Sequence, residues 1–193
     1  MKYSKTVALK DGRTCVIRNG TEQDAEGVLA NFILTHSQTD FLTTYPDEIT
    51  FTLDQERAYL KGKEESECEA ELIAEVGGMI VGTAGVSRRG TAEKVRHRAS
   101  FGISISRDYW GIGIGRALVE SCIECAGAAG CVQIELEAVA ENKRALALYQ
   151  SVGFIEYGRN PKAFLSRSGR WQENVLMRLE LNRREIPCSF SAG

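Results

Sequence analysis

The chain has 193 residues, 43% of them hydrophobic and 26% charged, with 19 glycines and only 3 prolines, an ordinary globular composition with enough length for one sizeable core. Lys and Arg total 24 against 26 Asp and Glu, so the formal charge of -2 supplies no general pull toward nucleic acid or an anionic membrane. No apolar run approaches the roughly 20 residues that span a bilayer and the first ten residues lack the apolar core of a signal peptide, so the expectation is one cytoplasmic domain over residues 1–181 with a loosely held tail at 182–193.

Residues 14–18 alternate like a strand, and Thr21 then opens a helix with Asp24 three positions on, a variant of the capping box. Ala25, Val28, Leu29, Phe32 and Ile33 recur at helical spacing and predict one buried stripe. The polar and aromatic segment 36–47, with Pro46, reads as a loop. Thr52 and Gln55 cap a second helix that runs to about Lys61, followed by an acidic stretch over 64–71. Residues 70–76 and 79–87 form a hairpin about Gly77-Gly78, a turn suited to positive φ. After a charged loop at 88–96, residues 97–106 alternate again and lead into the turn at 107–116; a helix follows over 117–128 and stops at Gly130. Residues 132–139 read as a strand, 142–151 as a short helix, and 153–159 and 171–181 as closing strands. That order is α/β (α+β) with a mixed sheet.

The six cysteines, Cys15, Cys68, Cys122, Cys125, Cys131 and Cys188, sit mostly in apolar segments of a chain too large to need disulfides, and are read as reduced thiols. Cys122 and Cys125 form a lone C-x-x-C inside a helix, with only His36 and His97 to complete a zinc site, so buried helix-face thiols are the favoured reading and no metal is expected.

A strand, then Gly111-x-Gly113-x-Gly115, then a helix is an arrangement that binds anions, because the first free N–H groups of the helix converge there and its dipole favours negative charge. The same glycines could instead reflect tight packing. A nucleoside-triphosphate loop is excluded, since Arg116-Ala117 stands where Lys-Ser/Thr is required; a dinucleotide fingerprint fits poorly, with its third glycine one position early.

Residues 103–118, with Trp110, Gly111, Gly113, Gly115 and Arg116 at the turn, resemble the pyrophosphate-binding motif Q/R-x-x-G-x-G/A of the GNAT superfamily of acyl-CoA N-acyltransferases. Asn142, Ala145, Leu148, Tyr149, Gly153 and Phe154 resemble that family's second signature, N-x-x-A-x-x-L-Y-x-x-x-G-F. The match is clear over residues 97–157. Trp110 departs from it by occupying the Gln/Arg position, as similar Trp-Gly sequences do in the branch that contains ribosomal-protein N-terminal acetyltransferases.

The resemblance implies a single-domain fold: a mixed, mostly antiparallel sheet of about seven strands with a splayed central parallel pair, flanked by helices. It implies acetyl-CoA as co-substrate, without metal, and acetyl transfer to a primary amine of a small molecule or peptide N-terminus by direct attack in a ternary complex. It leaves a homodimer open, and a non-catalytic CoA-binding module with the same fold is the alternative. By the same resemblance the backbone of Ile103 and Ile105, the turn from Trp110 to Arg116, and Asn142 hold the cofactor, while Tyr149 is the general acid. Packed side chains at Ile103, Ile105 and Tyr149 and an ordinary N-cap at Asn142 are the plainer readings. For the base, Glu137, His97 and water remain open; strand parity puts Glu135 and Glu137 on one face, opposite Ile134, Leu136 and Ala138. The acceptor is expected to enter between residues 35–47 and the loop 88–96, where Asp40, Asp47, Glu48 and the 64–71 run suit a cationic amine.

Overall fold

The computed structural model describes residues 2–181; the expected tail at 182–193, with Cys188, lies outside them. The elements run β1 (Ser4–Ala8), β2 (Thr14–Asn19), α1 (Ala25–Ser37), α2 (Leu53–Glu65), β3 (Ala70–Val76), β4 (Met79–Arg88), β5 (Arg98–Ile105), α3 (Ile114–Ala128), β6 (Gln133–Val139), α4 (Lys143–Ser151), β7 (Ile155–Leu165) and β8 (Trp171–Glu180). The strands form one 8-stranded sheet in the order β1-β2-β3-β4-β5-β6-β8-β7. Every pairing is antiparallel except β5 with β6.

Two strands differ from the sequence expectation. The eighth strand is β1, a polar edge strand that is held by its ladder to β2 and carries little apolar alternation of its own. β7 continues past residue 159 through Pro161, a residue that argues against a strand interior; the ladder to β8 slips between Asn160 and Phe164, and that irregularity accommodates the proline.

Alternate residues of β3 face different helices. Leu72 and Ala74 are buried in the main core with α3, whereas Ile73 packs with Ala25 and Val28 of α1 and Leu60 of α2. Thus α1 and α2 cover one face of the sheet, and α3 with α4 the other. The α1 stripe is displaced from the one expected: Ala25 and Val28 are buried, but Ile33 is 43% exposed, and Asn31, Thr35 and His36 are buried instead. Polar partners account for this. The Ser106 hydroxyl donates to Asn31 Oδ1 at 2.8 Å, the Thr35 hydroxyl donates to the Phe32 carbonyl at 3.0 Å, and His36 Nδ1 lies 2.7 Å from the same oxygen. Cys15, Cys68, Cys122, Cys125 and Cys131 are free thiols, and Cys122 and Cys125 are buried on the inner face of α3.

The parallel pairing of β5 with β6 spans only Arg98 to Ser100 against Gln133 to Glu135. Beyond it the strands part, so the β6-facing edge of β5 from Phe101 onward has no strand beside it. Glu135 marks the end of the paired segment. It is 1% exposed and is gripped by Arg98, with Nη2 to Oε2 at 2.8 Å and a second, shorter bond from Nε; Arg89 Nε stands 3.2 Å from Oε2. Burial pushes this carboxyl up, but the Arg98 hydrogen bonds and the charges of Arg89 and Arg98 outweigh it and hold the carboxyl below the usual range.

Removing the carboxylate in Glu135→Ala leaves two guanidinium groups facing each other beside the core, and is expected to cost about 3 kcal/mol in urea unfolding. The sign with pH follows from the depressed carboxyl: its contribution is complete above the unfolded glutamate value of about 4.3 and is lost as pH falls through the lower folded value. The stability of the Ala variant therefore falls less steeply than wild type below about pH 4.3, which parallel unfolding curves across that range will show.

Candidate functional site

β5 ends at Ile105, and a single turn of 3-10 helix from Arg107 to Tyr109 carries the chain to Trp110 and into α3. Gly111 has φ 81° and Gly113 φ 112°, in the left-handed region, and a Cβ at either would meet nothing within 4 Å. The glycines therefore answer to backbone conformation and leave an open concavity at the helix start. At the third glycine packing decides, since a Cβ on Gly115 would lie 3.1 Å from Leu148 of α4. The first internal bond of α3 at this end runs from Ala117 N–H to the Gly113 carbonyl at 3.1 Å, so the preceding amides remain available to an anion. The turn thus leaves free amides and open space for an anion at the start of α3.

The other expected cofactor residues fall around it with defined jobs. The Trp110 indole N–H donates to the Ile105 carbonyl at 2.6 Å, and its ring carries the Arg144 guanidinium at 3.9 Å from its centre. Trp110 therefore braces the turn, and the Ile105 carbonyl is already engaged. Arg116 reaches Ser151 Oγ at 2.8 Å and Glu120 at 3.2 Å, which ties α3 to α4. Asn142 is the N-cap of α4, its Oδ1 accepting from Ala145 N–H at 3.2 Å. Ile103 lines a cavity on the other side of β5.

Tyr149 is buried at 6% exposure, with Phe101 edge-on at 6.1 Å and Phe154 at 5.9 Å between ring centres. Its hydroxyl makes no hydrogen bond to another side chain among the described residues, and burial pushes the phenol well above its ordinary value. Glu137 is exposed on β6, outside the cavity lining, and accepts from Asn174 Nδ2 at 3.3 Å. His97 also lies outside the lining, where its carbonyl accepts from Val132 N–H at 2.9 Å.

The cavity has a volume of about 680 Å³ and lies between α1, α2, the 42–44 segment and the faces of β4 and β5. Its floor is small and polar: Thr83, Gly85 and Ser87 of β4 stand opposite Ser104, Gly102 and Ser100 of β5. The segment above it is pinned from the β7–β8 hairpin, where Arg167 pairs with Asp47 at 2.7 Å, lies 4.0 Å over the Tyr45 ring and donates its N–H to the Tyr45 hydroxyl at 3.0 Å. Of the two segments expected to admit an acceptor, residues 42–44 line the cavity and the 88–96 loop does not.

Sequence reasoning included Glu71 only as the end of the acidic 64–71 run suited to a cationic amine and did not single it out, because such a run also reads as solvated surface; of that run, Glu71 lines the cavity. The available signal was glycine inside strands, at Gly85 and Gly102, which marks a close approach. Glu71 stands opposite Gly85, where a Cβ would lie 2.2 Å from its Oε2, and the Tyr59 hydroxyl donates to the same oxygen at 3.0 Å.

Residues 31–154 match the model of the acetyltransferase (GNAT) family. An L-amino acid N-acyltransferase, MnaT, of Escherichia coli is 28% identical over 116 residues, covering 60% of this chain and 67% of that protein. The N-alpha-acetyltransferase RimI of Mycobacterium tuberculosis is 39% identical over 85 residues, 44% of this chain, so the match spans about half of that protein, at 51%. Among solved structures, a GNAT acetyltransferase from Streptococcus pneumoniae superposes with a TM-score of 0.83 at 27% identity, covering 86% of this chain and 99% of that one. A Salmonella typhimurium acetyltransferase solved with its cofactor acetyl-CoA shares the fold at a TM-score of 0.79 and 19% identity, covering 91% and 99%.

At φ 112° a side chain on Gly113 is strained even though space is open, and it would occupy the concavity. Gly113→Val is expected to weaken CoA binding about tenfold or more, as read by calorimetric titration of a variant whose circular dichroism matches wild type. Unchanged affinity would make the turn purely structural.

Proposed function

Because the chain belongs to the acetyltransferase (GNAT) family, we propose that it transfers an acetyl group from acetyl-CoA to a primary amine held in the cavity beside β5. The observation that carries this reading is the juxtaposition across one strand: β5 has an open, unpaired edge and a free helix N-terminus at its end, and it also forms a wall of the acceptor-sized cavity. An amino acid and a peptide N-terminus, suggested by the named relatives, and a small amine are the acceptor classes to weigh.

Acetyl-CoA brings the thioester: the neutral amine nitrogen attacks its carbonyl carbon, the C–N bond forms as the C–S bond breaks, and the sulfur leaves as thiolate. The chain supplies position and protons. In the proposed ternary complex the amides of the turn and the N-terminal dipole of α3 hold the pyrophosphate, with Trp110 and Asn142 fixing the turn and the start of α4. The Tyr149 hydroxyl donates to the departing thiolate, and its proton is replaced from water. The extra proton on the amine nitrogen passes to water, with Glu137 at the exposed side of β6 as the relay to solvent. A phenol raised by burial stays protonated at every working pH, so it acts as a permanent donor to the developing negative charge.

Tyr149→Phe keeps the ring between Phe101 and Phe154 and removes the donor. Steady-state thiol release is expected to drop by about 10²-fold in kcat while the acetyl-CoA dissociation constant stays within about twofold of wild type. The shape of the pH profile through neutrality should not change, because the raised phenol has no limb there. The same titration should detect CoA and neither NAD nor ATP. CoA binding without turnover of any amine would make the chain a CoA-binding module.

A further inference from the structure

We propose that Glu71 is the acceptor anchor of this cavity, and that the acceptor is a small primary amine with an apolar body and no carboxylate of its own. This rests on the transferase reading above and adds the substrate class to it.

The sheet is built to bring this carboxylate into the cavity. Glu71, Gly85 and Gly102 stand side by side on β3, β4 and β5. With no side chain at Gly85, the Glu71 carboxylate lies across that position toward β5, 2.2 Å from where a Cβ would sit, and the space above Gly102 is open. Tyr59 fixes Oε2 at 3.0 Å. An ammonium group fits the opening that remains, beside the hydroxyls of Ser100 and Ser104.

The rest of the lining selects against a second charge of the wrong sign. No Lys or Arg lines the cavity; its carboxylates are Glu56 and Glu71. Lys63, the nearby cation, is committed to Glu69 at 2.5 Å and Ser87 Oγ at 2.6 Å. An amino acid would bring its carboxylate against two others with no Lys or Arg to receive it, and His36, the imidazole in the lining, is engaged through Nδ1 with the Phe32 carbonyl at 2.7 Å. Part of the remaining wall is apolar: Phe32 meets Phe51 edge-on at 6.3 Å, and with Val28 and Leu42 they form a surface suited to an alkyl chain or aromatic ring, while His36, Thr43, Thr44 and Gln55 complete the lining. At about 680 Å³ the space suits a small molecule.

Burial pushes Glu71 up to about 7; the Tyr59 hydrogen bond and the charge of Lys63 pull it back, and Glu56 adds to the rise. Cys122 of α3, across the sheet, is a further titratable group coupled to it. The charged form of Glu71 binds the ammonium, which gives up one proton to water before the neutral nitrogen attacks, so KM for the acceptor falls as pH rises through about 7.

The test is thiol release at saturating acetyl-CoA with phenethylamine and isopentylamine against L-phenylalanine, L-leucine and Phe-Gly dipeptide. The amines are expected to exceed the amino acids and the dipeptide in kcat/KM by about 10²-fold or more. Glu71→Gln is expected to raise KM for phenethylamine about 10²-fold, to remove its dependence on pH near neutrality, and to leave acetyl-CoA affinity unchanged. Tyr59→Phe, which removes one hydrogen bond and keeps the ring, should move that dependence to higher pH. Equal or better use of the amino acids or the dipeptide would overturn the substrate class while leaving the transferase reading standing, and an unaltered KM in a folded Glu71→Gln variant would overturn the anchor. No thiol release with any acceptor would instead bring down the transferase reading, and the anchor with it.

Discussion

The site depends on where the parallel pairing of β5 and β6 stops. Three residue pairs hold the two strands together, and at the end of that segment Glu135 joins Arg98 and Arg89 in a buried ionic contact. A carboxylate placed there without both guanidinium groups would carry its full desolvation cost. With them, it closes one end of the parallel pair firmly while the other end opens. The opening leaves the edge of β5 from Phe101 to Ile105 without a neighbouring strand in the middle of an otherwise continuous sheet.

That interruption lets one strand serve two compartments. On the side of α3 and α4, β5 leads into the glycine turn, whose geometry is defended by Trp110 against the Ile105 carbonyl and by Arg116 against Ser151. On the side of α1 and α2, the same strand offers Ser100, Gly102 and Ser104 as a floor. The polar inner face of α1 belongs to this second compartment. Asn31, Thr35 and His36 would be poor core residues, but their partners lie within reach on Ser106 and on the helix backbone itself.

The environments of two titratable groups differ in a useful way. Tyr149 and Glu71 are both raised by burial, yet with opposite consequences for charge near neutrality. The phenol becomes a fixed neutral donor, whereas the carboxyl is brought to about 7, where it can hold or release a proton. Tyr149 sits among aromatic rings with no charge partner, while Glu71 keeps Tyr59 and Lys63 on one side and open cavity on the other.

The amino-acid sequence by itself determined what is local. The positive φ at Gly77 and Gly78, the caps at Thr52 and Asn142, and the strand–turn–helix order that makes an anion site each depend on a few neighbouring residues, and each was legible there. The two spaced signatures also carried the family and the splayed sheet. Parity placed Glu135 and Glu137 on one face, but only the tertiary structure decided that Glu135 is buried and Glu137 exposed, because Arg98 and Arg89 arrive from the strand and loop beside it. The strand at Ser4–Ala8 exists through its partner, and the α1 stripe shifted because distant polar groups met it. Glu71 is the clearest case: the sequence offers it only as one of an acidic run that suits a cationic amine, and it becomes a cavity group through Gly85 and Tyr59, which lie 14 and 12 residues away. Burial is a property of what elements bring to one another, and no period or motif within a single segment encodes it.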